Sequence, residues 1–163
     1  MDSNSKQVEA MRAFNFLEGC WRGEKLSPEQ DEGAVIGVAI DECRYAFGER
    51  VFTISGRGFD VTGEVLEIDN FGVFSFDVDR GEYTLTSHVN GNVGKGHVEV
   101  LSEKCIRVFP RGKDGPVRIT MLGQGNLNWH ETIEQRSMTS GNKPPEIVWI
   151  PSFEIKFKAI PTS

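Results

Sequence analysis

This chain of 163 residues predicts an all-β fold: an antiparallel meander of short strands behind one short N-terminal helix. Three observations predict it. After Trp21 the chain runs in short stretches rich in β-branched and aromatic residues, which suit a pleated, half-buried surface. Gly, Asn, Asp and Pro interrupt those stretches about every ten residues, the rhythm of a meander of hairpins. In "FEIKFKAI", Phe153, Ile155 and Phe157 share one face while Glu154, Lys156 and Lys158 share the other, so that strand has a dry side and a wet side.

The helix comes first. From Ser5 to Leu17 the apolar residues Val8, Met11, Phe14 and Leu17 recur every third position, with Ala10 and Ala13 between them, as one helical stripe. Gly19 ends it. Candidate strands follow at 19–25, 35–47, 51–59, 62–69, 73–78, 83–89, 95–101, 105–109, 117–123, 128–137 and 147–158, the last broken near Pro151. So many segments make too large a sheet to stay open and flat, and closure into a barrel or folding into a sandwich is expected. Turn signals stand at "DNFG" from Asp69, "DRGE" from Asp79, "VNGN" from Val89, "PRGKDGP" from Pro110 and "TSGNKPP" from Thr139. "GNVGKG", 91–96, reads as a hairpin turn, because a phosphate loop would join a strand to a helix. The polar loops 27–33 and 138–145 read as lips of the barrel.

Composition excludes several function classes. With 18 Lys and Arg against 24 Asp and Glu, a net charge of -6, and no concentrated basic surface, a nucleic-acid partner is not expected. The most basic stretch, "RVFPRGK", carries the turn residues Pro110 and Gly112 and reads as a solvated hairpin. No apolar run approaches the ~18 residues of a membrane span, and "MDSNSKQVEAMRAF" has no basic segment leading into an apolar core. The expectation is one domain over residues 1–163, cytoplasmic, without a membrane partner. Cys20, Cys43 and Cys105 are far apart and form no CxxC pair, so they read as buried free thiols.

Two stretches carry a resemblance. "FLEGCWRGE" after a helix-like lead, followed by short strands, resembles the calycin superfamily, whose lipocalin-like barrels open on a Gly-x-Trp element. "NWHETIEQRSMTSGNKPPEIVW" looks like the closing arrangement of uncharacterised bacterial lipocalin-like domains, with Trp129, Glu131, Glu134, Ser137 and Trp149 at the matching positions. The resemblance covers Phe14 to Ile160 and implies an all-β, up-and-down antiparallel calycin-like barrel of about ten strands with a short N-terminal helix and an internal cavity, in which Trp21 packs as a plug across one end. A more distant nitrobindin-type, haem-binding branch shares the Gly-x-Trp-x-Gly opening. Its haem is held by a His near the C-terminus, whereas the last strand here has none and the final histidine is His130. No cofactor is therefore expected.

The candidate site residues follow from that interior. His88, His97 and His130 form no HxH or HExxH arrangement, so no metal site is expected. Adjacent strand residues point to opposite faces. If Trp129, Glu131 and Ile133 line the interior, Glu131 is a buried carboxylate and proton-transfer candidate; if His130 and Thr132 do, the candidate is His130. Arg44, Arg57, Arg107 and Arg118 lie in apolar strands, and one or two turned inward would anchor a carboxylate or phenolate. Phe52, Phe59, Phe74, Phe76 and Phe109 are candidates to line the cavity. The ligand-binding set is thus Trp21, Arg44, Arg57, Phe59, Phe76, His88, Trp129, His130, Glu131 and Trp149. A small hydrophobic or amphipathic ligand is the expected partner; an isomerase or cyclase using an inward His or Glu is the alternative. A barrel filled by its own side chains, acting as an interaction module and homodimer, is the third reading.

Overall fold

A computed structural model describes residues 2–28, 33–139 and 145–161. The chain starts with helix α1, Ser3–Met11, whose first turn is capped by the Asp2 carboxylate accepting from the Ser5 N–H at 2.7 Å. The segment Arg12–Leu17 then tightens into a 3-10 helix. The spacing explains this division of what the stripe suggests is one helix. Met11, Phe14 and Leu17 recur at three residues rather than 3.6, and three per turn is the 3-10 period. All three are fully buried.

Ten strands follow: β1 Gly19–Leu26, β2 Val35–Ala46, β3 Val51–Phe59, β4 Leu66–Asp77, β5 Glu82–Val89, β6 Asn92–Ser102, β7 Cys105–Phe109, β8 Val117–Gly123, β9 Asn128–Met138 and β10 Ile147–Ala159. Each pairs antiparallel with its sequence neighbour, and β10 returns to β1 in register from Trp21 opposite Ala159 to Leu26 opposite Glu154. The sheet is a closed barrel with no free edge.

Three expectations need correction. Segments 62–69 and 73–78 are one strand, β4, and "DNFG" is not a turn but lies within its ladder with β3 and β5. Gly72 marks a close approach there: an added Cβ would stand 3.0 Å from the Phe74 ring. The turn falls earlier, where the Asp60 carboxylate accepts from the Glu64 and Val65 N–H groups at 3.1 Å. "GNVGKG" is mostly strand; only Gly91 is in the turn, beside Asn90, both at positive φ. Gly96 lies inside β6 because an added Cβ would meet the Phe109 carbonyl oxygen at 2.7 Å. The "TSGNKPP" turn and the loop 27–33 fall partly outside the described residues. The break near Pro151 is a bulge in a continuous strand.

The helical segment seals one end. Phe14 packs on Phe52 and Phe74 with ring centroids 5.2 Å apart in each case. Carbonyls toward the end of the helical segment accept from barrel side chains. Tyr83 donates to Ala10 O at 2.8 Å, Tyr45 to Met11 O at 2.8 Å and the Trp21 indole to Leu17 O at 2.7 Å. Gly19, at φ 138, turns the chain into β1 in a conformation other residues rarely adopt. Among the described residues no helix is long and apolar enough to cross a membrane.

Candidate functional site

Alternation along the strands decides which side chains face inward. Trp129, Glu131 and Ile133 point into the barrel, so the β9 face carrying Glu131 is the interior one. On β2 the inward side includes Ala39, Asp41 and Cys43. At the plugged end, Trp129 stacks on Phe157 at 4.1 Å and meets Trp21 edge-on at 6.3 Å. Phe157 borders a cavity of about 450 Å³.

The cavity walls are apolar and include Ile54, Phe74, Leu85, Val108, Met121 and Ile133. Its mouth lies at the opposite end from the helix, where Lys25, Phe59, His88, Arg111 and Phe153 border it. Lys25 Nζ sits 4.3 Å from the Phe153 ring centroid, a cation resting on the rim. A larger groove of about 670 Å³ lies outside the plug, between the helical segment and the hairpins at Glu103 and Asn126. It borders neither Asp41 nor Glu131, so the interior cavity is the chemically distinctive one.

Two carboxyls lie deep in this apolar chamber. Asp41 stands opposite Trp21 and Gly56 in the ladder, and only 8% of its surface is exposed. It makes no hydrogen bond or ion pair with the described residues. Burial pushes its pKa up from 3.8 to about 7. Glu131, between Met121 and Ile155 in register, is likewise pushed up, to about 8, by burial first and then by the negative charge of Asp41. Gly56 makes room for this arrangement: an added Cβ would stand 2.8 Å from both Asp41 Oδ1 and Asn70 Oδ1. Cys43, fully buried next along β2, has its thiol pushed up by burial and then by the nearby carboxylates, so it is a poor nucleophile.

The remaining candidates are distributed differently. Phe59 and His88 border the mouth, whereas Trp21 and Trp129 lie at the plugged end, Trp129 stacked on Phe157, and do not border the cavity. Phe76 packs on Tyr83 beneath the helix, at 4.9 Å between centroids. Arg44 is exposed and paired with Glu42, while Arg57 is exposed at the rim. Arg118 makes a two-pronged pair with Glu134 on the outer surface, at 2.6 and 3.0 Å, and lies over the Trp149 ring. Phe109 packs against Trp149 on that same outer face. His130 also points outward, with Nε2 3.3 Å from Glu154 Oε2. Thus neither Arg44 nor Arg118 is an internal anchor, and Trp149 and His130 do not reach the cavity. The physical reason is register: Arg44, Arg118 and His130 are one step out of phase with the inward set, and the bulge between Pro151 and Phe153 turns Trp149, opposite Arg136, outward although it shares the parity of Ile155 and Phe157. The residue missed by sequence reasoning is Asp41.

No known protein family matches this chain, and no curated protein does. Solved structures do. Rv2717c from M. tuberculosis superposes with a TM-score of 0.58 at 10% identity, covering 93% of this chain and 98% of that one. The S-type phycobiliprotein lyase CPES from Guillardia theta superposes at 0.55 and 10% identity, covering 100% and 99%. These likenesses extend over whole chains and concern the fold.

Proposed function

We propose that the barrel binds one small hydrophobic or amphipathic molecule in its interior. The observation that carries this reading is the cavity of about 450 Å³, apolar-walled, plugged at one end and open at the other. Its size lies within the range of about 300–1,000 Å³ usual for small-molecule sites, and a few polar groups among apolar walls are the usual way to orient a ligand. At 10% identity the lyase activity named for CPES does not carry over.

The test is to extract and identify whatever accompanies the purified protein by native mass spectrometry, then titrate it with the uncharged fluorescent probe N-phenyl-1-naphthylamine. Saturable binding with one molecule per barrel supports the reading. Binding that neither saturates nor responds to filling the cavity refutes it.

A second reading has one observation in its favour. Burial pushes the Asp41 and Glu131 carboxyls up to about 7 and about 8 inside an apolar-walled cavity, which is what a proton-transfer site requires. It predicts turnover of a bound carbonyl or alkene compound, abolished by Glu131→Gln while binding persists.

A further inference from the structure

The cavity places two carboxyls in an apolar chamber, and among the described residues neither makes an ion pair or hydrogen bond. Asp41 and Glu131 both border this one cavity, and the negative charge of Asp41 adds to burial in raising Glu131. The other charged groups bordering the cavity, Lys25, Arg57, Glu67, His88 and Arg111, come from the ends of β1, β3, β4 and β5 and from the loop after β7, all at the mouth. The lining contributed by β8 and β10 carries no charge. Cys43, behind Asp41, is a neutral thiol. A buried charge without a partner is costly, and two like charges sharing one cavity are costlier still.

Ligand chemistries fare differently in this chamber. A carboxylate or phosphate group entering it meets two acidic side chains and no deep cation, so repulsion adds to its own desolvation. An uncharged ligand leaves the conflict as it stands. A single ammonium or amidinium group between the two carboxyls relieves both desolvation and mutual repulsion, and supplies N–H donors to acceptors that have none. Apolar walls above the carboxyls suit a hydrocarbon body, and both Asp41 and Glu131 border the cavity, so the acidic groups are open to such a head.

We infer that the interior selects an amphipathic cation, a protonated amine or amidine head held by Asp41 and Glu131 with its apolar body toward the mouth. This rests on the reading of the barrel as a binding protein and specifies the class of ligand. Binding draws the carboxyls into their ionised form, so it expels a proton at neutral pH and strengthens as pH rises from 5 to 8, while the ligand amine remains charged.

The experiment compares decylamine, decanol and decanoate on the intact chain. Each is tested by displacement of N-phenyl-1-naphthylamine, and by calorimetry at pH 7 in phosphate and in Tris, whose different ionisation heats reveal proton release. Decylamine is expected to bind at least about tenfold more tightly than decanoate, with release of about one proton. Asp41→Asn and Glu131→Gln are each expected to weaken decylamine about tenfold and to flatten its pH dependence, with decanol little changed. Equal affinity for all three compounds without proton release overturns the inference while leaving the binding function intact. Failure of all three to displace the probe, together with probe binding indifferent to Ile119→Phe inside the cavity, overturns the binding function itself. Proton release in the unsubstituted protein is read independently of how well the variants fold.

Discussion

Asp41→Asn should stabilise this protein at alkaline pH. In the unfolded chain Asp41 ionises near 3.8, whereas burial holds its folded pKa at about 7. The folded state therefore binds the proton more tightly, and stability falls with pH between those two values. Well below pH 3.8 both states are protonated and there is no cost, and at pH 4 the cost is still small. By pH 8 both states are ionised, and at ~1.4 kcal/mol per pH unit the penalty amounts to on the order of 4 kcal/mol. Asparagine has nearly the same shape and no charge, so the substitution removes this penalty. It also removes a negative charge that raises Glu131. The assay is urea unfolding followed by tryptophan fluorescence at unit steps from pH 4 to 9. The expected result is little difference at pH 4 and a variant more stable by a few kcal/mol at pH 8. The unsubstituted protein should lose stability over this range, with Glu131 extending the loss to about pH 8. A stability that rises from pH 5 to 8, or a variant equally destabilised at every pH, would refute the reasoning.

Other substitutions test the parts that hold the site. Trp21→Phe keeps a ring in the plug but leaves the buried Leu17 carbonyl without its donor; a loss of about 1–3 kcal/mol is expected, with faster amide exchange over residues 3–17. Gly56→Leu forces a side chain into the space of Asp41 and Asn70, and overpacking should cost about 1–3 kcal/mol, read in the same urea assay. Glu134→Gln weakens the outer pair with Arg118 and should lower stability without changing probe affinity, because neither residue borders the cavity.

The meander was legible because its local patterns agree with each other: glycine and asparagine mark the turn after Val89, and the stripe at Met11, Phe14 and Leu17 marks the helical lead. The choice of a barrel over a sandwich, and the place of Trp21 as its plug, came from the resemblance carried by "FLEGCWRGE", because side-chain patterns alone do not say whether a sheet closes on itself. Glu131 was legible as an alternative, since Trp129 and Ile133 share its parity. The division between inward and outward residues was less accessible on β2. Its two faces read Ala39, Asp41, Cys43 and Ile40, Glu42, Arg44, and each mixes apolar with polar groups. Only pairing with Trp21 and Gly56 fixes which face is buried. The fully buried Cys43 two residues on was the available signal for Asp41. "DNFG" misled because turn-forming residues also occur where a strand must admit a neighbour closely, as Gly72 does beneath Phe74.

The most direct measurement is a fluorescence titration of the protein with N-phenyl-1-naphthylamine, run in parallel on Ile119→Phe, which adds an aromatic ring to the cavity wall. The account expects saturation at one probe per chain and a loss of affinity of about tenfold or more in the variant. Equal binding to both proteins, with the variant folded, would place the probe outside the barrel and contradict an interior built to receive a ligand.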